Sequence, residues 1–230
     1  MVGVIFNTFT VTLGSLMGLI LKNGIKEKYK NVIMTVIGLC TIALGITEIV
    51  KGQNFLVLIL SLLFGTILGT LIDIDGKINL LGDFLSARFS KKNGKVSITQ
   101  GFVTASLLFC IGSMTIVGSL KSGLNGDNSM IYTKSILDLF SSAVLASSLG
   151  IGVLFSAIFV FSFQGLLVLL ASWVAPFLSG AVIAELCCAG GVMILALGLN
   201  LINLTKIKVA DFLPALLFIP ILSYVFSLIV

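Results

Sequence analysis

The chain has 230 residues, of which 58% are hydrophobic and only 10% charged, with a mean hydropathy of +1.21. Soluble domains carry about 25% charged residues, and no core of ordinary size hides this much apolar surface, so a water-soluble globular domain is excluded and the solvent is lipid. The net charge of +5 is therefore read by position, as a record of orientation rather than a nucleic-acid footprint.

A spanning helix needs roughly 20 apolar residues at about 1.5 Å rise each. In chain order, hydropathy predicts spans over 3–21, 32–50, 54–72, 98–118, 135–149, 151–174, 180–203 and 209–229. The first run starts at once with no basic region ahead of it, so it reads as a span and not as a cleavable leader. The fourth has a weak point at Cys110-Ile111-Gly112-Ser113. The fifth is short, covering about 22 Å of a hydrocarbon layer about 30 Å thick. It runs into Ser147-Ser148-Leu149-Gly150-Ile151-Gly152, where a helix readily breaks. About eight spans are expected, or seven if 135–149 only dips into the bilayer.

With eight spans, the connections 22–31, 73–97 and 204–208 hold eleven of the basic residues, and the opposite side holds three, Lys51, Lys121 and Lys134. The positive-inside rule then puts the eleven in the cytoplasm and both termini outside, in the plasma membrane. Within 73–97, Ile78, Leu81, Leu85 and Phe89 recur at helical spacing beside Arg88, Lys91 and Lys92. That pattern predicts an amphipathic helix on the inner leaflet.

Sliding the chain along itself by 153 residues puts Gly38, Ala43, Leu44, Gly45 and Ile49 on identical residues. The first and third spans then fall on the sixth and eighth. Five crossings separate each segment from its echo, so such a repeat is inverted in topology, an architecture that secondary transporters use around a midplane site. The expected architecture is an all-α integral membrane protein in one transmembrane domain, 1–230. A three-helix unit, 1–72, is followed by the cytoplasmic connection 73–97. A central helix pair, 98–150, with one member short or broken, precedes the second unit, 151–230.

Polar groups in hydrocarbon either pair with a neighbouring helix or line a watery path. Asn7, Thr10, Gly14 and Gly18 form one stripe of the first span. Gly14-x-x-x-Gly18 and Gly65-x-x-x-Gly69 are close-approach pairs that also allow a homodimer. On the fifth span, Ser135, Asp138, Ser141, Ser142 and Ser148 share a broad face at about 100° per residue, with Ser147 turned away. Asp138, Ser141, Ser142, Gly112 and Ser113 are the candidate pathway, and Asp127 and Lys134 its candidate outer mouth. The competing reading of Ser135-Ile-Leu-Asp138 is a helix-start cap. Gln164, Asn200 and Asn203 are uncharged and read as bridges between helices. Glu48, Glu185 and Asp211 lie near span ends, where water satisfies them.

Histidine is absent from the sequence, and Cys40, Cys110, Cys187 and Cys188 lie in apolar runs without metal-site spacing. No hydrolase elbow, phosphate-binding glycine loop or zinc-protease motif is present, so neither an enzyme nor a cofactor is expected. The expected partners are the bilayer and a small solute or ion, with no nucleic acid. The expected function is a small-solute or ion transporter or channel, the alternative being a non-transporting scaffold, sensor or accessory protein.

Several stretches resemble one family. They are FVTASLLFCIGSMTIVGSLKSGLNGD (102–127), YTKSILDLFSSAVLASSLGIGVLFSAI (132–158), Gln164-Gly165, LALGLNLINLTKIKVADFLPAL (195–216) and the opening GVIFNTFTVTLGSLMGLILKNGIKEKYKN. They are similar to the YqgA/YdfK-like bacterial membrane proteins, domain of unknown function 554, over nearly the whole chain. The resemblance implies a multi-span prokaryotic plasma-membrane protein, often described as a transport protein. The family commonly has Asp or Asn near position 122, where this chain has Ser122, and Asn where it has Asp211. The resemblance assigns neither position an essential role and carries over no catalytic or binding residue.

Overall fold

The structure is a computed structural model and describes residues 1–22, 27–78, 80 and 98–227. Every regular element among the described residues is a helix. Backbone in hydrocarbon has no water to bond, and a helix satisfies its N–H and C=O groups internally. Helical stretches Val2–Leu21, Phe55–Ile72, Gly152–Leu169, Gly180–Leu201 and Val209–Phe226 are long and apolar enough to cross a membrane, and a bent pair, Ile98–Cys110 with Met114–Asn125, adds one if taken as a single span. The chain packs as two compact units, Met1–Thr35 with Asn79–Val174, and Val36–Ile78 with Ala175–Val230.

The first unit is built on α1 (Val2–Lys22), α4 (Ile98–Cys110), α5 (Ser113–Asn125), α6 (Ser129–Leu149) and α7 (Gly152–Leu169). Ten of the 13 residues of α4 are buried, which places it at the centre. Added Cβ atoms on Gly3, Gly14 and Gly18 of α1 would run into Asn128, the Leu139 carbonyl and the Ala143 carbonyl. The partner numbers rise together, so α1 and α6 are parallel, pressed backbone to backbone by the small residues. A two-residue turn, Gly150 (φ 79°) and Ile151, then sends α7 back the other way.

The helix pair α4–α5 is bent by 58°. Gly152 abuts the Ile98 carbonyl at the start, Phe102 meets Phe159 with ring centroids 6.1 Å apart, and Gly123 abuts the Val168 carbonyl at the end. Here too the numbers rise together. The broken pair therefore runs the length of α7 in one direction and does not turn back.

The second unit holds α2 (Glu27–Ile49) from Val36 onward, α3 (Phe55–Ile72), α8 (Gly180–Leu201) and α9 (Ala215–Ser227). With 14 of its 22 residues buried, α8 is the central helix. It crosses α2 on glycines: a Cβ added to Gly45 would lie 2.8 Å from the Gly191 oxygen, and one added to Gly198 would lie 2.9 Å from the Gly38 oxygen. One number rises as the other falls, so this pair is antiparallel. Gly65 against Ala215 and Gly69 against the Asp211 carbonyl set α3 antiparallel to the Val209–Phe212 turn and α9.

Two expectations about length are corrected. The segment expected as a short span over 135–149 is the C-terminal part of a 21-residue helix, α6, about 31 Å long. Hydropathy reads apolarity, and the first turns of α6, Ser129 to Lys134, are helical without being apolar. The span expected over 151–174 is helical as α7 only to Leu169, followed by a short turn Ala171–Val174. Of the proposed amphipathic connection, Ile78 is helical, while Leu81, Leu85, Arg88, Phe89, Lys91 and Lys92 lie outside the described residues.

Candidate functional site

The first unit encloses a polar network that draws on four helices. On α6, Lys134 and Asp138 are one helical turn apart, 7% and 6% exposed, and form an ion pair. The spacing i, i+4 puts both on one face, the geometry in which oppositely charged side chains meet. The Lys134 ammonium sits 5.7 Å above the centre of the Phe109 ring of α4, a cation–π placement that gains strength away from water. From α1, Asn7 donates its amide to Gln164 Oε1 of α7 at 3.1 Å and also interacts with the Asp138 carboxylate. Both carboxamides are fully buried, yet Asn7 Oδ1 and Gln164 Nε2 have no partner. One acceptor and one donor are left over even if both amides are flipped. Buried polar atoms are almost always satisfied, so each such exception calls for a partner, a bound water or ion among them.

Beside this network lies the break between α4 and α5. Gly112 is extended (φ 165°) and ends the α4 ladder, while Thr115 Oγ1 reaches back to the Phe109 carbonyl at 2.9 Å. A Cβ added to Gly112 would meet nothing within 4 Å, so that side of the break is open. The side chain of Ser113 lies outside the described residues.

The remaining candidates separate. Ser142 is buried, but its hydroxyl bonds the Leu139 carbonyl of its own helix and it lies beneath Gly14. Ser135 bonds the Ile131 carbonyl in the same way. Ser141 is exposed: at about 60° from Asp138 and about 100° from Ser142 it stands at the edge of the broad face, outside its buried part. Lys134, expected with Asp127 at an outer mouth, is buried and paired with Asp138. Helix-start capping by Ser135 and Asp138 is also corrected, since α6 begins six residues before Ser135, at Ser129. The N-cap position there is held by Asn128, and Asp127 just ahead of it accepts from Ser129 N at 3.0 Å through Oδ1. The hydrogen bonds from Ser129 hold the Asp127 carboxyl below the usual carboxylate range. Asn128 stitches the loop: its Oδ1 accepts from Ser122 Oγ at 2.7 Å and from Gly3 N at 3.3 Å, and its amide donates to the Gly126 carbonyl.

Other polar side chains have structural duties that differ from expectation. Asn200 bridges no helices; it holds the turn after α8, accepting from Ile207 N and Thr205 Oγ1 and donating to the Ile207 carbonyl. Asn203 adopts a left-handed φ of 59° in that turn. Asp211 is buried and accepts from Asp75 N at 2.9 Å, and Glu185 is buried and accepts from Gln53 N and Asn54 N. Backbone N–H groups thus bond an oxygen of each carboxylate.

Gln164 bridges helices as the sequence suggests, but its partner Asn7 and the burial of Lys134 are not given by the sequence. The signal for Asn7 is its place on one helical stripe with Gly14 and Gly18.

A bundle of apolar helices with buried ionic and carboxamide groups is the hallmark of a polytopic membrane protein, and this chain is one. It belongs to the family described as "Protein of unknown function (DUF554)", whose model matches residues 2–224. It is 36% identical to the "Uncharacterized membrane protein YdfK" of Bacillus subtilis over 98% of this chain and 96% of that one. It is 29% identical to the "Uncharacterized protein YqgA" of Escherichia coli over 94% and 93% of the two chains. No solved structure matches it.

Proposed function

We propose that this protein is a transporter or channel for a small solute or ion in the plasma membrane, and not an enzyme, with its site at the Asn7–Asp138–Lys134–Gln164 network. The observation that carries this reading is the pair of orphaned carboxamide atoms in a fully buried, charge-bearing cluster beside a helix break. Intramembrane ionisable residues are expensive and mark passage or coupling more often than architecture. Broken helices beside such groups are a transporter's way of presenting backbone dipoles to a passenger.

The reading includes eight traverses, with the bent pair α4–α5 as one, and an inverted repeat at an offset of 153. The support is a reciprocity at the α2–α8 crossing. Gly38 faces Gly198 and Gly45 faces Gly191, which are the same two positions shifted by the offset and exchanged. A contact in which i meets j′ while j meets i′ is what a two-fold axis generates. The antiparallel pairing of α3 with α9 agrees with it.

Single cysteines at Ser135, Ser142 and Ser148, in a chain with Cys40, Cys110, Cys187 and Cys188 replaced, test the site with a membrane-impermeant methanethiosulfonate reagent. A transporter labels at these positions from at least one side of the membrane, despite their burial here. Failure to label at all three, in vesicles of both orientations, favours the scaffold reading, which the hydroxyls of Ser135 and Ser142 already turned to their own helix would suit.

A further inference from the structure

The second unit contains a separate cavity of about 140 Å³, lined by Ile49, Gly52, Gln53, Phe55, Leu58, Glu185 and Cys188. One water needs only about 10–15 Å³ of such space, so the cavity admits a ligand of several heavy atoms. Its walls are mostly apolar, with Gln53 as an uncharged polar member and Glu185, 2% exposed, as the one ionisable acid. Glu185 Oε1 accepts from both Gln53 N and Asn54 N at 2.6 Å. Both of these donors are backbone N–H groups. Its other oxygen, Oε2, is buried without a partner.

The charge is not matched from within. The nearby Lys51 pairs with Glu48 at 2.5 Å, and no ion pair to Glu185 occurs among the described residues. Cys188 is committed too, its thiol donating to the Ile49 carbonyl at 3.2 Å. A buried carboxylate is tolerated when a positive group completes it. The walls contributed by Ile49, Leu58 and the Phe55 ring suit an alkyl group, and an aromatic wall adds attraction for an ammonium. A bare metal ion is a poor match, since it needs several oxygen ligands and this cavity has one carboxylate among hydrocarbon.

We propose that this cavity is a binding site for a small primary alkylammonium ion, with the ammonium towards the Glu185 carboxyl group and the alkyl chain against Ile49, Leu58 and Phe55. The site is independent of the network in the first unit. Propylammonium chloride is the probe, titrated into the full-length detergent-solubilised protein with sodium chloride and propan-1-ol as matched controls, read by thermal shift and by saturation-transfer NMR. The expected result is saturable binding of propylammonium alone, weakened at least tenfold by Glu185→Gln. Glu185→Gln risks loosening the Gln53–Asn54 turn, so Phe55→Ala, at a 74% exposed wall residue, is the second variant, expected to weaken binding severalfold with the fold intact. Absence of saturable binding, equal binding of propan-1-ol, an equal effect of sodium, or unchanged affinity in a folded Glu185→Gln protein or in Phe55→Ala would each overturn the proposal.

Discussion

Single side chains in this protein have consequences that depend on what surrounds them. Asp138→Asn leaves the Lys134 ammonium buried against Phe109 with no countercharge, and breaking a buried pair in this way costs about 3–5 kcal/mol. Replacing both partners, as Lys134→Met with Asp138→Leu, removes the desolvation penalty along with the attraction. Stability in detergent is then expected to be unchanged or raised by up to about 4 kcal/mol. Denaturant titration of the three proteins checks the order, and a double variant weaker than Asp138→Asn would contradict it. Asp127 works through ionisation. Its carboxyl is held below the ordinary range by Ser129, so its stabilisation is fully present above the unfolded-state value near about 4. It is lost as pH falls through the lower folded value. Melting curves of wild type and Asp127→Asn should differ at pH 7 and converge in strong acid.

Two glycines show how differently helical elements use the same residue. At Gly45 an added methyl would lie 2.7 Å from Leu195 N and 2.8 Å from the Gly191 oxygen, both backbone atoms that cannot rotate aside. Gly45→Ala therefore forces α2 off α8, at about 1–3 kcal/mol. At Gly112 the backbone is extended and the space open, so Gly112→Ala is expected to be neutral or to add about 0.4–1 kcal/mol by restricting the unfolded chain. Thermal unfolding of the two variants side by side tests the contrast. The break at Gly112 was legible in sequence because Gly-Ser in the middle of an apolar run interrupts both propensity and hydropathy. The true start of α6 was not, since a polar helical turn looks like loop to a scale that counts only apolarity. The partnership of Asn7 with Gln164 joins residues 157 apart in sequence. No local pattern reports such a contact, and the same holds for the N–H groups that Glu185 binds.

For the molecule as a whole, orientation follows from where the lysines and the arginine fall. With Lys134 left out of the count because it is buried within α6, eleven against two predicts both termini outside the cytoplasm. A C-terminal alkaline phosphatase fusion should be active and a fluorescent-protein fusion at the same point dark; the opposite result would invert the topology. The turn at Gly150–Ile151 bears on how the chain is made. The α6 helix carries Lys134, Asp138 and a series of serines, and it does not reach the apolarity of the spanning stretches. A nascent α6 leaving the ribosome alone has little reason to enter the bilayer through the translocon. On the proposed eight-span reading, the two residues between it and the strongly apolar α7 would let it enter as one limb of a helical hairpin. Biosynthesis would then deliver an ion pair into oil on the strength of the helix that follows it.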